Sequence, residues 1–250
     1  MRRGSMEGIR SFNTARPRVL ASLSRSRLAP TAAAIGSIST RGAKPWTQMV
    51  SAAQTANPGL RILISGQDQP RLEFWRTVPA PAAYEKASRM RMRQSSDPGV
   101  VARSRDSKPV EGPSEIDVVI STNRHLVFIE AKLGSDISMC TTYDPCRNQL
   151  IRNIDCLLEC AAGREPMFWM LVRDSGPRRA YCQLVDAYRT NLETLVAELP
   201  HCDPRDLRKI AQNISVIRWQ DLAGSLLEVA NTDSAEVSNV KQELKRRVWA

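Results

Sequence analysis

Along this chain the apolar positions change period several times, and each change predicts an element. Ser114–Ser121 (SEIDVVIS) and His125–Lys132 (HLVFIEAK) are β-branched runs separated by Thr122, Asn123 and Arg124, which predicts a β-hairpin. Asp144 followed by Pro145 offers an N-cap with proline at the first helical position. A helix is expected from there to about Ala162, with Gly163 as its stop. Residues 167–172 (MFWMLV) are almost wholly apolar, the pattern of a strand buried on both faces. Helices are expected at about 180–199 and again from Pro204, capped by Asp203. Residues 215–219 (SVIRW) read as a last strand, and a charged helix closes the chain.

Upstream of residue 114 the pattern is weaker. Residues 60–64 (LRILI) form a short apolar run, and 72–75 (LEFW) begin a mixed segment broken by Pro79 and Pro81. Ala82–Arg93 suits a helix with a basic face, and 94–113 is turn-rich with a short edge strand expected around 100–103. No internal repeat is present. The order of hairpin, helix, buried strand, helices and strand predicts an α/β sandwich with a small mixed central sheet.

Composition sets the outer limits. With 250 residues, 42% hydrophobic and 25% charged, the chain can hold one globular domain and a tail. No stretch approaches the ~20 apolar residues of a membrane span, so no membrane partner is expected. The formal net charge of +10 points towards nucleic acid until its distribution is examined. Residues 1–55 hold nine basic residues against the single acid Glu7, leaving 27 basic and 25 acidic residues for the remaining 195. The basic excess therefore belongs to an N-terminal arm over 1–55, and the domain is expected over 56–250. That arm fits a disordered segment, the reading its composition favours, but also an organellar transit peptide or residues upstream of the true start.

Six cysteines (Cys140, Cys146, Cys156, Cys160, Cys182, Cys202) are too irregularly spaced for a disulfide framework, and with no C-x2-C pair a zinc or iron–sulfur site is a poor match. Cys156 and Cys160, one turn apart, read as small buried hydrophobes. A reducing, cytoplasmic setting follows, or an organellar one if the arm is a transit peptide.

The hairpin carries the chemistry. With the turn centred on Asn123 and Arg124, Asp117 falls directly opposite Glu130, their Cβ atoms roughly 4.5–5.5 Å apart. Two facing carboxylates repel unless a divalent cation lies between them, and hard oxygen ligands suit Mg²⁺ or Mn²⁺. Lys132, two residues beyond Glu130, projects on the same face, and the Ala131 carbonyl between them is a further candidate ligand. An ammonium in that position can orient a water and stabilise charge on a phosphate under attack. Gln149, Arg152 and Asn153 follow at i, i+3, i+4 spacing on one helix face.

S-E-I-D-V-V-I, a short turn, L-V-F-I-E-A-K-L and then N-Q-L-I-R-N at 148–153 together resemble the PD-(D/E)XK nuclease superfamily, also called restriction-endonuclease-like. Here Glu115 and Ile116, not proline, precede the aspartate, at a position that varies among its members. The resemblance covers about 114–172 and implies an αβββαβ core. It also implies a Mg²⁺-dependent phosphodiesterase, endonuclease or exonuclease, hydrolysing nucleic acid, with DNA ahead of RNA and a homodimer as an option. By the same resemblance, Asp117, Glu130, Lys132 and Gln149 are catalytic, and Asp117, Glu130 and Ala131 hold the metal. Arg152 and Asn153 would contact nucleic acid. A further acid on the first core helix is assigned to Glu85, with Glu73 in reserve.

Less specific readings stand beside these. The trio could be an exposed sheet face of charge pairs, although both strands are otherwise apolar. Glu115 suits a partner of Lys132 or the surface. His125 and His201 read as incidental, and the cluster Lys245, Arg246, Arg247 as a solvated helix end. The alternative function is a catalytically silent nuclease-fold module that binds nucleic acid or assembles in a defence or repair complex.

Overall fold

A computed structural model describes residues 70–132, 134–141, 144, 147–173 and 179–221, together with 50, 51, 53–55 and 242. A five-stranded mixed sheet in the order β1-β2-β3-β4-β5 organises it. The strands are β1 (Arg71–Val78), β2 (Ser114–Ser121), β3 (His125–Lys132), β4 (Glu165–Val172) and β5 (Ile214–Arg218). β1, β2 and β3 form an antiparallel meander, while β4 and β5 join parallel to β3. The helices are α1 (Ala82–Arg93), α2 (Pro98–Arg103), α3 (Gln149–Ala161), α4 (Ala180–Thr190), α5 (Leu192–Glu198) and α6 (Pro204–Gln212). The α/β class and the small mixed sheet flanked by helices are as the hydrophobic pattern predicts.

The hairpin register is also the expected one. Val118 faces Ile129, Val119 faces Phe128, Ile120 faces Val127 and Ser121 faces Leu126. Side-chain alternation then puts Val119, Leu126 and Phe128 on one face, continued by Phe168, Met170 and Ile214 from β4 and β5. Helix α3 covers that face with Leu150, Ile151, Ile154 and Leu157. The other face carries Val118, Ile120, Val127, Ile129, Trp169 and Leu171, all buried. This is why the hairpin and β4 read as near-continuous apolar runs. Truncating a side chain as enclosed as Phe128 would cost about 3–5 kcal/mol.

Four local expectations need correction. Residues 100–103 are helical, not an edge strand, because Asp97 caps α2 by accepting from Gly99 N and Pro98 supplies its first turn. Helix α3 begins at Gln149, not at 145; Asn148 is its N-cap and accepts from Ile151 N at 2.9 Å. Asp144 instead accepts from the Tyr84 hydroxyl at 2.8 Å. The helical stretch 180–199 is two helices that meet at Asn191, which caps the second by accepting from Glu193 N. Trp219 lies beyond β5, which runs from 214 to 218.

The expected stop of α3 is present, with Ala162 and Gly163 both in left-handed conformation. Of the basic arm, 50, 51 and 53–55 are described; they are helical, with Val50 and Ala53 buried. The run 60–64, the closing helix and the cluster 245–247 lie outside the described residues.

Candidate functional site

At the end of β3 the apolar face changes character. Leu126 and Phe128 are followed, two residues apart on the same side, by Glu130 and Lys132. There the pairing between β2 and β3 stops, its last partners being Val118 and Ile129. β2 nevertheless keeps its partner β1 as far as Ser114, and β3 keeps β4 as far as Lys132. The sheet is forked, and Asp117 stands at the fork. Its Oδ2 accepts from Ala131 N at 2.8 Å, so a side chain takes the amide that a backbone carbonyl of β2 would otherwise engage. On the outer side the register passes from Phe74–Val118 to Arg76–Ile116, leaving Trp75 across from Asp117 with φ 52. A left-handed aromatic residue inside a strand is a strained feature, of order 1–3 kcal/mol.

Glu130 is buried and held by three donors. Gln149 Nε2 donates to its Oε1 at 2.7 Å, and Lys132 Nζ lies 2.8 Å from the same oxygen. Asn153 Nδ2 donates to Oε2 at 3.0 Å. Gln149 also accepts from Lys132 Nζ at 3.2 Å through its Oε1. The loop before α3 holds this residue at both ends, since backbone Gln149 N donates to Ser138 O at 2.8 Å and Ser138 N donates to the side-chain Oε1 at 3.4 Å. Glu130, Lys132 and Gln149 therefore meet in direct contact, and Asp117, bonded to Ala131 N beside them, lies within electrostatic reach of Glu130 and Lys132.

The electrostatics of the pair are unfavourable as they stand. Burial first, and the Glu130 charge second, push the Asp117 carboxyl from 3.8 up to about 7, against the Ala131 hydrogen bond and Lys132, which pull it down. Glu115, on the exposed side of β2 opposite Thr77, adds a smaller upward push. A cation against both carboxylates would remove this repulsion, and the donor set of Asp117 Oδ1 and Glu130 is hard oxygen, the kind Mg²⁺ and Mn²⁺ take. Oδ1 is the Asp117 oxygen without a hydrogen bond to any described residue. The residues fit such a cation.

Other expected site residues lie elsewhere. Arg152 shares the helix with Gln149, but its guanidinium is drawn to the segment before β2. Its Nη2 donates to the carbonyls of Gly112 and Pro113 at 2.8 and 2.9 Å, and its Nε lies 3.3 Å from Glu111. Asn153, expected to contact nucleic acid, is only 3% exposed and serves to hold Glu130. Glu85 pairs with Arg89 at 2.7 Å and accepts from Val110 N at 2.8 Å, while Glu73 pairs with Arg76 at 3.3 Å. Both are engaged in local contacts on α1 and β1.

The histidines are less incidental than their positions suggest. His125 is buried at the hairpin turn with its Nδ1 3.3 Å from Thr122 Oγ1. His201 contacts the buried Asp155. Cys156 is buried and Cys160 packs against the core, as their spacing predicts.

Comparison of the chain with family models, with curated proteins and with solved structures returns no match. Among the described residues no helix is long and apolar enough to cross a membrane.

Proposed function

We propose that this protein is a Mg²⁺-dependent nuclease of the PD-(D/E)XK type that hydrolyses phosphodiester bonds in DNA. The observation that carries the proposal is the meeting of Asp117, Glu130, Lys132 and Gln149 at the fork between β2 and β3. Three antiparallel neighbours, with α1 and α2 inserted between β1 and β2, followed by a helix and a parallel strand support the same reading. So does a like-charged carboxylate pair that a polar network keeps buried rather than relieves.

In this reading Asp117 Oδ1 and Glu130 hold the cation, with the Ala131 carbonyl as the third candidate ligand. When bound, the cation would polarise the phosphodiester and offset the charge that builds on it during attack. Lys132 Nζ, already positioned by Glu130 and Gln149, donates to the attacking water or to a phosphate oxygen. Gln149 fixes the spacing between the ammonium and the carboxylate. Asn153 keeps Glu130 Oε2 turned into the site.

The test is cleavage of plasmid DNA, oligonucleotide DNA and RNA with Mg²⁺ or Mn²⁺, with EDTA as control. Loss of at least about 100-fold in Glu130→Ala and Lys132→Ala, both still folded, is the expected result. Equal cleavage by those variants sinks the assignment. Nucleic-acid binding without turnover, unaffected by EDTA, would return the protein to the silent-module alternative.

A further inference from the structure

Asp155 sits on the middle of α3 within the otherwise apolar run I-D-C-L-L and is 1% exposed. Two side chains from the turn between α5 and α6 reach it. His201 Nε2 lies 3.0 Å from its Oδ1, and Cys202 Sγ lies 3.6 Å from the same oxygen. A ligand atom from each of the three falls within 4.8 Å of the other two. Arg147 Nη2 donates to Oδ2 at 2.6 Å, and His201 Nε2 lies 3.1 Å from that oxygen as well, so Arg147 orients the carboxylate from which Oδ1 faces both His201 and Cys202. We propose that Asp155, His201 and Cys202 form a zinc site, separate from the acidic pair at the fork, with the fourth position taken by water.

The distances are those such an ion requires. Zinc bonds of about 2.0–2.1 Å to nitrogen, 2.0–2.2 Å to carboxylate oxygen and 2.3 Å to sulfur, at tetrahedral angles, give N···O of about 3.4 Å and S···O of about 3.6 Å. The two edges to Asp155 Oδ1 are 3.0 and 3.6 Å, within a few tenths of an ångström of these values, and the His201 and Cys202 ligand atoms lie within 4.8 Å of each other. The donors are the imidazole, thiolate and carboxylate that zinc prefers, and unlike the acidic pair they include the soft sulfur that disfavours Mg²⁺. As the ion binds, the Cys202 thiol gives its proton to solvent, and His201 offers an unprotonated Nε2 with its N–H carried on Nδ1. The imidazole is further positioned by the Tyr84 ring, whose centroid lies 5.8 Å away, and Tyr84 packs in turn against Arg147.

The consequence is a tie between the α5–α6 turn and the helix that carries Gln149 and Asn153. Because these ligands are unrelated to Asp117 and Glu130, the inference does not depend on nuclease activity. The experiment uses the full chain, reduced and stripped with chelator, dialysed against Zn²⁺ alone and, in parallel, titrated with Co²⁺. One retained Zn²⁺ and a thiolate-to-cobalt charge-transfer band are expected, unchanged in Glu130→Ala. Cys202→Ser should abolish the band and weaken Zn²⁺ binding by at least about 100-fold, since even residues that only support a ligand cost 10–100-fold. Should Cys202→Ser fail to fold, His201→Ala carries the same expectation of weakened binding. Absence of a band and of retained Zn²⁺ in the parent chain, or a band that persists in both variants, overturns the proposal.

Discussion

Gln149 Nε2 donates to Glu130 Oε1 at 2.7 Å while the other end of the same amide accepts from Lys132, so one side chain spaces the acid from the ammonium. Gln149→Ala should leave the fold intact, because the residue is only half-buried, yet lower cleavage about 10–100-fold. Single-turnover rates would check this, and a fall in the rate with unchanged DNA affinity is the expected split. Gln149→Glu should be worse than alanine, since it sets a third carboxylate against Glu130.

Asp117 gives the metal-free protein a pH dependence of definite sign. Its carboxyl titrates near 3.8 when unfolded and at about 7 when folded, raised by burial and by Glu130. Between those values the folded chain holds a proton that the unfolded chain has lost. Its stabilising contribution is thus complete below about pH 4 and lost as pH rises through 7. Asp117→Asn should remove this slope and raise stability at pH 8 by about 1–2 kcal/mol, while abolishing cleavage. Urea denaturation at pH 5 and pH 8, with and without Mg²⁺, measures both effects. Mg²⁺ should restore stability to the parent chain at pH 8 and not to the variant.

Asn153 is the buried donor to Glu130 Oε2. Asn153→Ala leaves that oxygen desolvated and is expected to cost about 1–3 kcal/mol, read as a lower urea midpoint. Activity should fall as well, because the carboxylate loses its orientation.

A second buried charge cluster lies along α3. Arg147 bridges Asp155 at 2.6 Å and Glu111 at 3.5 Å, and its guanidinium stacks 3.7 Å from the centroid of the Tyr84 ring. Burial pushes the Glu111 carboxyl up, with the two arginines opposing it. Arg147→Met leaves Asp155 without its arginine and Glu111 with Arg152 alone, and a loss of about 3–5 kcal/mol is expected in urea unfolding. Arg147→Lys should recover only part of that loss, as an ammonium cannot reproduce the planar contacts to both acids and the ring.

The hairpin and its register were legible because strand alternation has period two and the short turn leaves one pairing that buries the apolar side. That register alone put Asp117 opposite Glu130. The start of α3 was not legible: Asp144 and Pro145 carry the stronger local signal, but the Asp144 carboxylate goes to Tyr84, 60 residues away. Residues 100–103 misled for the opposite reason, since a β-branched pair was outweighed by the Asp97 cap. Helical phase gave Gln149, Arg152 and Asn153 a common face, but not their ends. Glu111, 41 residues earlier in the chain, attracts the arginine, and the burial of Glu130 claims the asparagine. The Asp155, His201 and Cys202 grouping joins residues up to 47 apart, and its one sequence signal is an acid inside an apolar helical run.

Because β2 stays sewn to β1 and β3 to β4 where the two inner strands part, the ligands of the acidic site ride on different halves of one sheet. Asp117 belongs to one half, Glu130 and Lys132 to the other. Any force that twists the halves against each other, such as bending of bound DNA or leverage at the Thr122 turn, would change the reach between the carboxylates and be felt as a change in cation affinity. On the proposed reading, a sheet forked in this way would act as a mechanical gauge, converting the shape of a bound nucleic acid into affinity for the cation.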